Sequence, residues 1–188
     1  MYHGPEPVPA ADDAESDECL AARAGGGCRT AFASLVTRHY DGIYRLAWRF
    51  AGARPAAEDI AQDVCVKLAS ALRNYRGDAA FRTWLYRIVY TTALDHLRAG
   101  QRMLATPPSH LLYLADAQPV QEADAFGGAL WDAVSSLPPQ QRDAVLFVYG
   151  EEMSHAAAAK VMGCAEKTVS WHVHEAKKKL KLLLRAVG

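Results

Sequence analysis

Met153-Ser154-His155-Ala156-Ala157-Ala158-Ala159-Lys160-Val161-Met162-Gly163-Cys164, and then Lys167-Thr168-Val169-Ser170-Trp171, reads as a short capped helix, a glycine turn and a second helix with a lysine-rich end. Ser154 is a strong N-cap, because its hydroxyl can accept from an unpaired amide of the first turn. The four alanines after it keep helix propensity high and let the helix sit close to a neighbour. Gly163 supplies the positive φ that ends a helix without a Cβ clash. Thr168 or Lys167 then opens a helix on which Val169, Val173, Ala176 and Leu180 recur at helical spacing. Two helices joined by a short glycine turn form a helix-turn-helix, whose second helix enters the DNA major groove. An ordinary αα-hairpin in a bundle fits the same residues, so the rest of the chain has to separate the two.

Working back from that pair, every sustained pattern has helical period. Asp17 can cap a short helix that ends before Gly25-Gly26-Gly27. A long amphipathic helix follows over about 30–51, with Phe32, Leu35, Val36, Tyr40, Ile43, Tyr44, Ala47 and Phe50 on one face. Gly52 and Pro55 break it. The next helix, about 56–72, carries Glu58 and Asp59 in its first turn, where the helix dipole favours acids. Its apolar stripe is Ile60, Val64, Leu68 and Leu72, which leaves Asp59, Gln62, Asp63 and Lys67 outward. A polar loop over 73–78 leads to a helix at about 80–99, with Phe81, Trp84 or Leu85, and Ile88 inward and a weaker stripe beyond. Residues 100–127 hold three prolines and no period, and read as a linker. Helices at about 128–136, 139–149, 154–162 and 167–185 complete the chain. The expected fold is all-α: an acidic disordered tail (1–16), a first helical domain (17–102), a flexible acidic linker (103–127) and a second domain (128–188) containing the helix-turn-helix.

The 188 residues carry 21 Lys+Arg and 21 Asp+Glu, yet the charge is blocked. Residues 1–30 sum to −4, 31–105 to +5, 106–152 to −6 and 153–188 to +5. Two basic blocks set apart by acidic ones suit two nucleic-acid-facing modules, although ordinary charge fluctuation also produces such blocks. No apolar run reaches the roughly 18 residues of a membrane span, and the N-terminus has no signal-peptide pattern, so a cytoplasmic protein is expected. Cys19, Cys28, Cys65 and Cys164 have no CxxC spacing and read as free thiols. His172 and His174 lie two apart on a helix, on opposite sides, and cannot share one ion. No nucleophile–base pairing, phosphate loop or carboxylate constellation points to an enzyme or a cofactor.

Candidate binding residues fall in three groups. Glu58, Asp59, Gln62, Asp63 and Lys67 form an outward charged row that is either a docking face or ordinary solvated surface. Asn74, Tyr75 and Arg76 on the loop, with Arg82, Arg87 and Arg98 on the helix, combine an exposed-looking aromatic with cations, as stacking and phosphate contact to unpaired bases require. Phe81, Trp84 and Tyr86 are ambiguous between stacking and core, and Trp84 is favoured as core. Thr168, Ser170, Trp171, His174, Glu175, Lys177 and Lys178 make up the outward side of the helix-turn-helix, with Lys181 beyond them.

Three segments in this order resemble an extracytoplasmic-function sigma factor, the small two-domain class of bacterial transcription initiation factor. They are Ala57-Glu58-Asp59-Ile60-Ala61-Gln62-Asp63-Val64; Phe81-Arg82-Thr83-Trp84-Leu85-Tyr86-Arg87-Ile88 with Ala93-Leu94-Asp95-His96-Leu97-Arg98; and Leu137-Pro138-Pro139-Gln140-Gln141-Arg142 with residues 154–179. The resemblance spans about residues 17–185. It implies that the first segment grips a coiled coil of core RNA polymerase, that the second melts and reads the promoter −10 element with the 73–80 loop capturing a flipped base, and that the third reads the −35 element. It further implies an acidic linker threading toward the polymerase cleft and control by an anti-sigma protein. Members usually read Thr-Val-Lys/Arg-Ser-Arg-Leu-x-Arg-Ala-Arg in the recognition helix, whereas this chain has Ser170, His172 and Glu175 at three usually basic positions. Either Ser170, Trp171, His174 and Glu175 read an unusual −35 sequence while Lys177, Lys178 and Lys181 hold phosphates, or −35 contact is weak; the first is preferred. Glu175 would repel phosphate but can accept from cytosine N4. Two rivals stand beside this reading: a stand-alone helix-turn-helix regulator, and a regulator-binding protein that has lost promoter recognition.

Overall fold

The computed structural model describes residues 15–103 and 125–185. Among these every regular element is helical: α1 (Asp17–Gly25), α2 (Arg29–Ala51), α3 (Arg54–Ala71), α4 (Phe81–Met103), α5 (Ala125–Ser135), α6 (Pro139–Val145), α7 (His155–Met162) and α8 (Glu166–Arg185). The expected tail falls almost wholly on residues 1–14 and most of the linker on 104–124, outside the described residues. Ser16, not Asp17, caps α1, accepting from the Cys19 amide. Pro55 does not separate two helices but lies within the first turn of α3, where its missing N–H costs nothing. The helix expected to begin at 128 begins at Ala125, and α8 begins at Glu166 rather than at Lys167 or Thr168.

Helices α1–α4 build the first module. Leu35, Ile43, Leu46, Ile60, Val64 and Leu68 are buried between α2 and α3, joined by Gly52 in the left-handed conformation. The expected stripe is buried, with Ile60, Val64 and Leu68 on α3 and Leu72 in the turn just after it. Each such side chain contributes about 1.5–3 kcal/mol relative to an exposed one. Two acids of α1 set its neighbours. Asp17 bonds Arg38 at 2.6 Å and His39 at 2.8 Å on α2, and Glu18 accepts the Phe81 amide (3.3 Å), capping α4 from another helix. At its far end α1 passes so close to the turn after α3 that a Cβ on Gly25 would lie 2.7 Å from the Leu72 carbonyl oxygen. Neither backbone can yield cheaply, so Gly25→Ala should cost about 1–3 kcal/mol, read as a lowered midpoint in urea unfolding.

Helices α5–α8 form the second module. Ser154 caps α7 by accepting the Ala157 amide, and Gly163 (φ +69°) ends it, both as the sequence indicates. Val134, Leu137, Val145, Leu146 and Ala176 make a small core under α5, α6 and α8. Val169 and Val173 point the other way and join a core continuous with that of the first module. The two modules are therefore docked: α7 lies against α4, and Phe147 inserts between Phe50 and Tyr90. Burial pushes the Asp143 carboxyl and the Tyr90 hydroxyl, which bond each other at 3.0 Å, above their ordinary ranges. Among the described residues no helix is long and apolar enough to cross a membrane.

Candidate polymerase and nucleic-acid interfaces

The outward row on α3 exists. Its apolar stripe turns inward, so Glu58, Asp59, Gln62 and Asp63 face solvent on adjacent turns. Glu58 pairs with Arg54 one turn away (2.8 Å), and Asp63 bonds His96 of α4 at 2.6 Å. Lys67 is exposed, and its ammonium donates one hydrogen bond to the Thr92 hydroxyl (3.1 Å), tying α3 to α4. The exposed ion pairs add little stability. What the row offers is an acidic surface on a rigid helix.

The loop before α4 differs from expectation at its central residue. Tyr75 is not exposed: its ring packs edge-on against Phe81 (5.7 Å) and on Trp84 (4.9 Å), and its hydroxyl donates to the Ala79 carbonyl at 2.9 Å. Burial raises its pKa, with the nearby carboxylates of Glu18 and Asp17 adding to the shift. Tyr75 is therefore half-buried, with its ring already in contact with two other aromatic rings. Asn74 and Arg76 do stand exposed, and Trp84 is half-buried, between core and surface. Along α4, Arg98 is exposed near Asp95, whereas Arg82 and Arg87 are engaged by the second module. Arg82 bonds Glu151 at 3.0 Å, and Arg87 donates to the Lys160 carbonyl at 2.6 Å. A shallow cleft lined by Ala71, Asn74, Trp84, Arg87, Ile88 and Thr91 lies between the loop and α4.

On α8 the expected readers divide. Trp171 is 56% exposed and His174 stands beside it in solvent. Ser170 is turned inward: its hydroxyl donates to the Glu166 carbonyl (3.1 Å), so the 2.8 Å contact with His155 must have Nδ1–H as donor. That bond ties α7 to α8 and removes Ser170 from the free surface. Thr168 is half-buried. Glu175 bonds Lys178 at 3.0 Å, which holds its carboxyl below the usual range, and Lys177 lies 5.0 Å over the Tyr149 ring. His172 is buried, and desolvation lowers its pKa, so it is a neutral core residue rather than a phosphate contact. Among the described residues no group of His, Cys, Asp and Glu could hold a metal ion, and all four cysteines are free thiols. Cys28, at the start of α2, is brought down to about 7 by the Thr30 hydroxyl, the Ala31 amide and Arg23.

Sequence reasoning missed Arg49 and Glu151, and left Tyr86 open between stacking and core; the three meet at the junction of the modules. Periodicity gives no sign of them. Glu151 figures only as one acid of a charged block, and Arg49 as one polar position on a long helix.

This architecture and these surfaces have close relatives. Residues 35–103 match the sigma-70 region 2 family, and residues 127–180 match sigma-70 region 4. The chain is 32% identical over 190 residues to the RNA polymerase sigma-H factor of Pseudomonas aeruginosa, covering 91% of this chain and 97% of that one. It is 34% identical over 170 residues to the ECF RNA polymerase sigma factor SigM of Mycobacterium tuberculosis, covering 89% and 83%. The solved structure of CnrH in complex with the cytosolic domain of CnrY aligns with a TM-score of 0.69 at 27% identity, over 93% of this chain and 100% of that one. Members of the family are non-enzymatic initiation factors that work with polymerase in the cytoplasm. Two modules matching regions 2 and 4 in order, with full-length relatives on both, place the chain among the extracytoplasmic-function (ECF) sigma factors, the bacterial transcription initiation factors that bind core RNA polymerase and direct it to a set of promoters.

Proposed function

We propose that this sigma factor docks on core polymerase through the α3 face of Glu58, Asp59, Gln62 and Asp63, with Lys67 at its edge bracing α3 against α4. The division of labour runs 17–102 for polymerase and the −10 element, 103–127 as connector and 128–188 for the −35 element. Asn74, Arg76, Arg82, Arg87 and Arg98 supply −10 strand contacts; Tyr75 joins them only if the aromatic stack before α4 opens. The chain acts by binding and has no catalytic role of its own. An anti-sigma protein holds it inactive; in support, the similar solved structure of CnrH is of a complex with the cytosolic domain of CnrY.

At the −35 element the observation that carries the reading is the outward indole of Trp171, a large apolar side chain 56% exposed at the middle of the recognition face. Exposure of this kind fits a side chain that packs against thymine methyls in the major groove. His174 lies on the same face, and Lys177 and Lys178 swing from Tyr149 and Glu175 to phosphates. Thr168 and Ser170 support the helix rather than reading bases. Glu175, released from Lys178, is placed to accept from cytosine N4. Footprinting of reconstituted holoenzyme on its promoters tests this. Wild type should protect the −35 region, and Trp171→Ala should weaken promoter binding by about 1–3 kcal/mol, roughly 5- to 150-fold, and erase that protection. Equal −35 protection by the two proteins would contradict it.

A further inference from the structure

Residues 146–152 form the most irregular backbone at the junction. Leu146–Gly150 is a single π-helical turn, with the Glu151 amide donating to the Leu146 carbonyl at 2.9 Å. Glu152 follows with φ +53°, a left-handed conformation that carries strain for a residue with a Cβ. Between these two distortions Glu151 is turned inward and is 2% exposed. Its carboxylate accepts three hydrogen bonds, all from the first module: Arg49 Nη1 at 2.5 Å, Arg82 Nη2 at 3.0 Å and the Tyr86 hydroxyl at 2.9 Å. Two glycines make room for them. A Cβ on Gly150 would fall 2.8 Å from Arg49 Nη1, and one on Gly42 would fall 3.1 Å from the Tyr86 hydroxyl.

Seen from the first module alone, Arg49, Arg82 and Tyr86 are an anion receptor. Two guanidinium groups converge beside a phenol, and among the described residues no acid other than Glu151 bonds any of the three. Guanidinium forks fit carboxylate and phosphate oxygens alike. Left empty, the receptor would hold two cations in repulsion, so it calls for one anion at a time. It stands on α2 and α4, and Arg82 belongs to the group expected to touch the −10 strand.

We infer that the Arg49–Arg82–Tyr86 pocket is a phosphodiester site for the single-stranded promoter DNA, and that Glu151 is its built-in competitor, occupying the pocket while the modules are docked. The inference rests on α4 being the −10 helix, and it adds Arg49 and Tyr86 to the DNA-contacting set. Strand and carboxylate exclude each other, so promoter engagement expels Glu151 and undocks the second module. Arg87, held on the Lys160 carbonyl, and the Asp78 carbonyl, held by Lys160 Nζ (3.1 Å), are freed in the same step.

The test uses the full chain and a fluorescent single-stranded DNA of randomised sequence, because a phosphate site is indifferent to bases. Glu151→Gln should bind this oligonucleotide at least tenfold more tightly than wild type at the same salt, and adding Arg49→Gln to it should remove most of the gain. Equal binding by wild type and Glu151→Gln overturns the inference, as does a gain that survives Arg49→Gln. A second measurement needs no variant: saturating oligonucleotide should speed hydrogen exchange of amides 146–153 in the wild type, and unchanged protection there overturns the inference. Co-elution of the wild type with core polymerase, run in parallel, reports the sigma-factor reading separately. Loss of co-elution with the oligonucleotide result intact would fault that reading and not the pocket.

Discussion

Phe147→Ala is expected to undock the two modules. The ring is fully buried at the junction, edge-on to Tyr90 at 5.4 Å and tilted against Phe50 at 6.1 Å. Truncating a buried Phe costs about 3–5 kcal/mol through forfeited transfer energy and the cavity left behind. Its packing on the Tyr90 and Phe50 rings is worth about 0.5–1.5 kcal/mol per ring pair beyond area. The polar bonds across the junction cannot offset such a loss, because a buried ion pair repays little more than its own desolvation. Small-angle scattering should show a larger radius of gyration. Calorimetry should resolve two unfolding transitions in the variant and a single one in the wild type, since each module retains buried apolar residues of its own. A single transition at an unchanged midpoint would show that Phe147 does not hold the junction.

The helices are legible in the sequence wherever one face is apolar and the caps are explicit. The α3 stripe gives the inward row and, by subtraction, the outward acids. Ser154 and Gly163 mark both ends of α7 because each does a job that few residues can do. The start of α5 is not legible, since Gly127 and Gly128 imitate a linker and helix propensity alone does not reach across them. The π-helical turn at Leu146–Gly150 is equally hidden, because five mostly apolar residues carry no period that separates it from a continuing α-helix. Tyr75 misleads for a different reason. A tyrosine flanked by Asn74 and Arg76 looks exposed, but the rings of Phe81 and Trp84, brought back over it by the turn into α4, decide its burial. Ser170 and His172 likewise face inward, Ser170 against His155 of α7 and His172 into the packed interior. The receptor around Glu151 joins residues 49, 82, 86 and 151, and no one-dimensional pattern brings those together.

The largest loss of function should come from Asp59→Arg/Asp63→Arg. Both side chains are exposed on α3, so the substitutions leave the core untouched, and the Asp63–His96 bond is what they remove. Each replacement turns an acid into a cation on a face proposed to meet a basic partner surface. Like charges brought together in an interface cost several kcal/mol, enough for a loss of about a hundredfold or more in affinity. The helical circular dichroism of the double variant should equal that of the wild type, which separates docking from folding.

Size-exclusion chromatography of the protein with bacterial core RNA polymerase puts the central claim to the most direct test. The account predicts that the wild type co-elutes with core polymerase and that Asp59→Arg/Asp63→Arg elutes apart from it. Wild-type protein that is folded and free of any inhibitor, yet elutes apart from polymerase, would contradict the account and favour a regulator that acts on DNA alone.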